Sequence, residues 1–177
     1  MRTALFAAAV TLALAGACKG SSSSTENNSA NAMNAAAAVA AAKPLTKAQA
    51  LAVMHQRHEG MEDIGKNNKV LRRQLTAGSP NLAAVRVAAT TIAKHSVEAS
   101  RWFPPGTGPN VGKTGAKPEI WQKPQDFAVR LRNFQAAAKA LNAAASAGDV
   151  GAIKARYADL GGACKACHDS YRAEMKH

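Results

Sequence analysis

Residues 149–172 read DVGAIKARYADLGGACKACHDSYR. Val150, Ile153, Tyr157, Leu160, Cys164, Cys167 with His168, and Tyr171 recur at three-four spacing, the period that lines side chains along one face of an α-helix. Asp149 stands ahead of them as an N-cap. The stretch therefore predicts a helix whose inward stripe carries two thiols and an imidazole. Cys164-x-x-Cys167-His168 is also the attachment pattern of a c-type haem. The chemistry requires that spacing, because each thiol adds across one of two neighbouring vinyl groups while the histidine presents a ring nitrogen to the iron. A zinc half-site would need a second Cys/His pair, and the only other cysteine is Cys18, far upstream. A redox dithiol would need a βαβ setting, which this alanine-rich chain does not show.

Upstream of Asp149 the same period appears three more times. Pro124 opens a helix with the face Phe127, Leu131, Phe134, Ala138, Leu141, Ala145, closed by Gly148. Ser79-Pro80, an N-cap followed by proline, opens another with the face Leu82, Val85, Ala89, Ile92, Ser96, Ala99. The first begins at a Thr46/Gln49 capping box and runs through Leu51, Met54, His58, Met61, Ile64, Asn68, Leu71 and Leu75 until Gly78 stops it. A Gly/Pro-rich connection of about 20 residues, Phe103 to Lys123, separates the second and third helices; loops of that length are usually functional or lie against something. No segment reads as a strand. These elements predict an all-α fold, an antiparallel four-helix bundle over residues 44–177 with cofactor-holding side chains facing inward and haem c near the C-terminal helix.

The composition agrees. Of 177 residues, 47% are hydrophobic but only 5% aromatic, so most of the apolar fraction is alanine, which favours helices. A formal net charge of +12 attracts acidic partners. The basic residues are spread along amphipathic segments without a nucleic-acid motif, which reads as a solvated basic surface and not as a nucleic-acid- or membrane-binding one.

At the other end, Met1-Arg2 and the apolar run to Ala17 read as a signal peptide over 1–17. Leu14-Ala15-Gly16-Ala17-Cys18 resembles a lipoprotein signal, with Ala15 where a branched aliphatic is usual. That reading makes Cys18 a lipid anchor; ordinary cleavage would leave it an unpaired thiol. Residues 18–43 are Ser/Asn/Ala-rich and bury too little to order themselves, a flexible linker.

From Leu45 to Arg172 the chain resembles cytochrome c′ and the related class II c-type cytochromes. The likeness is carried by Arg57-x-x-x-Met61, Trp102-Phe103-Pro104-Pro105-Gly106-Thr107-Gly108, Pro118-Glu119-Ile120-Trp121, Ala147-Gly148-Asp149 and the stretch Cys164 to Arg172. The resemblance implies one haem c per chain, thioether links at Cys164 and Cys167, and iron ligation by His168. It places Arg172 near the proximal side and Arg57 on a haem propionate, against the plain alternative of solvated helix faces for both arginines. Met61 falls over the open side of the iron, where its thioether either ligates, giving six-coordinate iron, or packs over the ring without bonding. His58 is one place out of register, and His55 and His95 read as surface or core residues.

The implied function is that of an exported, periplasmic mono-haem cytochrome, tethered to a membrane through Cys18, that passes single electrons to a redox partner protein of acidic character. The alternative is binding or scavenging of a diatomic gas, NO or CO, at a five-coordinate iron. A haem enzyme would need a distal base that only His58 offers, so the chain reads as no enzyme. The resemblance also implies a homodimer through the first two helices.

Overall fold

The structure is a computed structural model and describes residues 43–174. The expected signal peptide, the Cys18 anchor and the linker up to residue 42 lie outside the described residues.

Five α-helices and no strand occur among the described residues. Helix α1 spans Lys47–Thr76 and starts on the expected capping box: Gln49 N–H donates to Thr46 Oγ1 at 3.3 Å, and Thr46 N–H donates to Gln49 Oε1 at 2.9 Å. Helix α2 spans Leu82–Glu98 and runs into a 3-10 turn, Ala99–Arg101. Its N-cap is Asn81 and not Ser79. Asn81 Oδ1 accepts from Ala84 N–H at 3.1 Å while Asn81 N–H donates to Gln74 Oε1 at 2.9 Å, so the last turn of α1 holds the cap in place.

The expectation of four helices misses α3, Glu119–Gln122, a single turn inside the long connection. It is held from outside itself, since Trp121 Nε1 donates to Phe103 O at 3.2 Å and Pro104 O at 3.1 Å. Helix α4 spans Pro124–Ala147 with proline in its first turn. Gly148 ends it at φ 83°, the left-handed conformation that a Cβ would penalise. One residue later Asp149 caps α5, Val150–Tyr171, accepting from Gly151 and Ala152 N–H at 2.8 and 3.1 Å.

Helix α1 packs on α2, α2 on α4 and α4 on α5, whereas α1 and α5 meet only thinly. The enclosed core holds Leu71, Val85, Ile92, Leu141 and Ile153, each fully shielded from water. Ala88, Ala89 and Ala138, equally buried, let the helices approach closely.

In the first half of α1 the inward stripe differs from the periodic reading. Ala50, Met54, Arg57, Gly60 and Ile64 are buried, while Leu51 is 41% exposed and His58 points into solvent beside Glu62. The cause lies in the connection. Trp102 is 1% exposed and presses on α1 so closely that a Cβ on Gly60 would stand 2.3 Å from its Cη2. Only glycine permits that contact, and it turns Gly60 and Arg57 inward.

Candidate functional site

The two thiols and the imidazole lie in the last two turns of α5, all half-buried. Leu160 and Tyr171, on the same stripe, are buried on either side of them. Desolvation raises the pKa of both Cys164 and Cys167 and keeps them as neutral thiols. Burial, followed by the positive charge of Arg172, lowers the pKa of His168. The neutral imidazole this favours is the form that donates a lone pair to a metal. Arg172 itself is exposed; its N–H caps α5 by donating to His168 O at 3.0 Å.

The long connection closes over this end of the helices. Residues 115–117 pair with the chain leaving α5: Lys117 N–H donates to Tyr171 O at 2.9 Å and Ala173 N–H to Gly115 O at 2.8 Å. Tyr171 O–H donates to Asp126 Oδ2 at 2.6 Å, joining the end of α5 to the start of α4. Desolvation, then the bond to Asp126, pushes the Tyr171 pKa up to about 12; that bond in turn holds the Asp126 carboxyl below its usual range. Phe127 stands edge-on to both Phe103 and Tyr171, with ring centroids 4.8 and 5.2 Å apart.

On the α1 side, Met61 is half-buried and packs against the same core cluster as Cys164. One turn earlier Arg57 is 4% exposed, and burial lowers its pKa. Its Nη1 donates to Trp102 O at 3.1 Å and Thr107 Oγ1 at 3.3 Å, and its Nη2 to Thr107 O at 3.0 Å and Thr114 Oγ1 at 2.9 Å. The guanidinium also stacks 5.0 Å from the Phe103 centroid and 6.0 Å from that of Trp121. None of these partners is an anion.

His95 is neither a free surface residue nor an apolar core one. Its Nε2 lies 2.8 Å from Asp63 Oδ2 and its Nδ1 2.8 Å from Glu98 Oε2, linking α1 to α2 beside the Trp102 ring. His55 and His58 are exposed, each beside a glutamate one turn on.

Sequence reasoning left Asp126, Tyr171, Thr107 and Thr114 without a role at this end. Tyr171 could have been flagged from its place on the inward stripe, since a buried tyrosine hydroxyl needs an acceptor. The threonines also make local turns, Thr107 Oγ1 donating to Pro104 O at 2.8 Å and Thr114 Oγ1 accepting from Ala116 N–H at 3.1 Å, but their bonds to an arginine some 50 residues away carry no local signal.

The residues gathered here suit a haem. Two neutral thiols and a neutral imidazole share a half-buried helix face, and Arg57 is a buried cation that no carboxylate neutralises among the described ion pairs. The indole Nε1 of Trp102 is buried without a hydrogen-bond partner. A flat, apolar macrocycle carrying carboxylates complements that set.

Comparison with known proteins agrees with this chemistry. Residues 52–172 match the family model described as Cytochrome C′. Cytochrome c′ of Allochromatium vinosum is 38% identical over 121 residues, covering 67% of this chain and 78% of that protein. Among solved structures, cytochrome c′ from Thermochromatium tepidum superposes with a TM-score of 0.66 at 34% identity, over 75% of this chain and all of that one. The nitric oxide complex of a variant cytochrome c prime from Alcaligenes xylosoxidans gives 0.64 at 26% identity, over 75% of this chain and 100% of its own.

Proposed function

The chain belongs to the cytochrome c′ family, and from that premise we propose that it is a mono-haem gas-binding protein, taking up a diatomic molecule such as NO or CO at the iron. The observation that carries this reading is the match over residues 52–172 to a family in which a relative is solved as its nitric oxide complex. Proteins of this family carry electrons and bind ligands; they are not enzymes, and this chain is not one.

In this reading the long helices form an antiparallel four-helix bundle with haem c beside α5. Cys164 and Cys167 would fix the macrocycle through thioether bonds, and His168, held neutral by burial, would supply a nitrogen ligand to the iron. The bound haem would supply a binding position for a diatomic ligand and a one-electron couple. Met61 would offer its thioether to the iron or pack against the ring. Arg57 would offer its positive charge to a propionate, and Arg172 would lie near His168. The localisation proposed is periplasmic, with the signal peptide at 1–17, the linker at 18–43 and a lipid on Cys18 tethering the bundle domain of 44–177; a homodimer through α1 and α2 is the proposed assembly.

Single-electron transfer to an acidic redox partner is the second reading, favoured by the methionine at position 61, since a thioether can close the sixth position where a hydrocarbon could not. Absorption spectra of the purified holoprotein separate the two. A high-spin ferrous spectrum that shifts promptly on adding carbon monoxide supports gas binding. A thioether-to-iron charge-transfer band in the oxidised protein, abolished in Met61→Ala, overturns it in favour of electron transfer. Loss of covalently bound haem in Cys164→Ala with Cys167→Ala tests the attachment, and globomycin-sensitive processing tests Cys18.

A further inference from the structure

The fold collects charge that the sequence spreads out. No acidic residue occurs between Asp63 and Glu98, and none between Asp126 and Asp149. Both stretches fold back at the same end of the molecule. Arg86 Nε in α2 donates to Ala145 O in α4 at 3.1 Å, and the α4–α5 turn at Gly148 sits against Arg86 and Leu82. The α1–α2 turn, residues 77–81, immediately precedes Leu82, so both tight turns form one blunt pole.

Around that pole stand Arg72, Arg73, Arg86 and Lys154, all exposed and each within about 6 Å of a helix end at 1.5 Å per residue. None of the four is in an ion pair among the described residues. Asp149, whose carboxylate is already engaged as a helix cap, is the one acid in the two turns and the helix ends they join. Val87, 67% exposed, adds an apolar side chain to the same surface. The acids Glu59, Glu98, Glu119, Asp126, Asp169 and Glu174 lie toward the other end, with the Cys164–His168 motif.

We propose that this cationic pole docks the protein on an anionic phospholipid surface. Charge complementarity alone would also suit an acidic protein. An electron-exchanging partner, however, has to come close to the iron, and His168 lies about 27 Å along α5 from the pole. A blunt end ringed by cations presents many charges at once to a plane, and at physiological salt those within about 8 Å of the surface feel its potential. No helix among the described residues is long and apolar enough to cross a membrane, so the contact is peripheral. Docking by this pole leaves the motif end facing away from the bilayer, open to the ligand or partner that uses it.

The test uses the full-length holoprotein carrying Cys18→Ser, so that no lipid can contribute, in co-sedimentation with vesicles of phosphatidylglycerol and phosphatidylcholine against vesicles of phosphatidylcholine alone. Binding is expected only to the anionic vesicles and is expected to fall as salt is raised. Each basic residue near such a surface contributes about a fivefold factor in partitioning, so Arg72→Gln, Arg73→Gln and Lys154→Gln together weaken binding roughly 100-fold. The matched set Lys113→Gln, Lys117→Gln and Lys123→Gln at the motif end lowers net charge equally and is expected to weaken it less than tenfold. Far-UV circular dichroism checks that both triple variants fold. Equal binding to both vesicle types, or equal losses in the two triple variants, overturns the proposal. So does capture on a polyglutamate matrix without vesicle binding, which assigns the pole to an acidic protein.

Discussion

The two ends of this helical molecule are built on different principles. At the pole with the tight turns, caps close the helices locally and the interior is dry: Leu71, Val85, Leu141 and Ile153 admit no water and no polar side chain stands among them. At the motif end the connection is stitched down by Arg57, Thr107, Thr114, Trp121 and the Tyr171–Asp126 bond, and the thiols and imidazole are only half-covered. The first end is stabilised by its own apolar contacts. The second is held together by polar contacts between residues far apart in the chain.

The contrast breaks most directly if haem attachment is removed. In Cys164→Ala with Cys167→Ala, hydrogen exchange is expected to accelerate by orders of magnitude around residues 54–61 and 160–171 and to stay slow around 71–75, 85–92 and 138–145. Uniform acceleration would show that the two ends fold as one unit.

Leu141→Ala attacks the self-sufficient end. A fully enclosed leucine truncated there is expected to lower stability by about 2–5 kcal/mol in urea titration, with the visible spectrum unchanged. A spectral change would mean that the dry core sets the geometry of the site after all.

Gly60→Ala attacks the stitched end. A methyl 2.3 Å from Trp102 Cη2 forces the ring or the helix to shift, at about 1–3 kcal/mol, and carries Met61 with it. The spectrum and the carbon monoxide affinity are therefore expected to change. Combining it with Trp102→Phe, a smaller ring, is expected to cost less than the sum of the two single changes.

The smallest effect is a pH profile. Tyr171 has its pKa raised from 10 to about 12, so its contribution to stability is complete below pH 10 and is lost as pH climbs toward 12. Asp126, whose pKa is lowered, contributes above the ordinary carboxylate range and loses that contribution as pH falls through its folded value. Tyr171→Phe is expected to flatten the urea midpoint between pH 10 and 12; an unchanged slope there would remove Tyr171 from the stitching.

The legible features were those set by near neighbours. The Thr46/Gln49 capping box, Pro124 at a helix start, Gly148 at a helix end and Asp149 as a cap each depend on atoms within a few residues, and each stands where the pattern placed it. The C-x-x-C-H spacing is local in the same sense, and so is its place on the stripe with Leu160 and Tyr171. The second N-cap was misplaced because Gln74, on the preceding helix, decides it.

What only the tertiary structure decided depends on residues far apart in the chain. The resemblance marked Arg57 for a propionate, with a solvated helix face as the alternative; its burial among Trp102, Thr107 and Thr114 came only with the fold, and the inward face of α1 turned with the Gly60–Trp102 contact. The basic residues looked scattered until two turns, some 70 positions apart, met at one pole. Periodicity determines which side chains a helix can bury; which of them it does bury, and where the charges collect, is settled by the partner it packs on, and no window of neighbouring residues contains that partner.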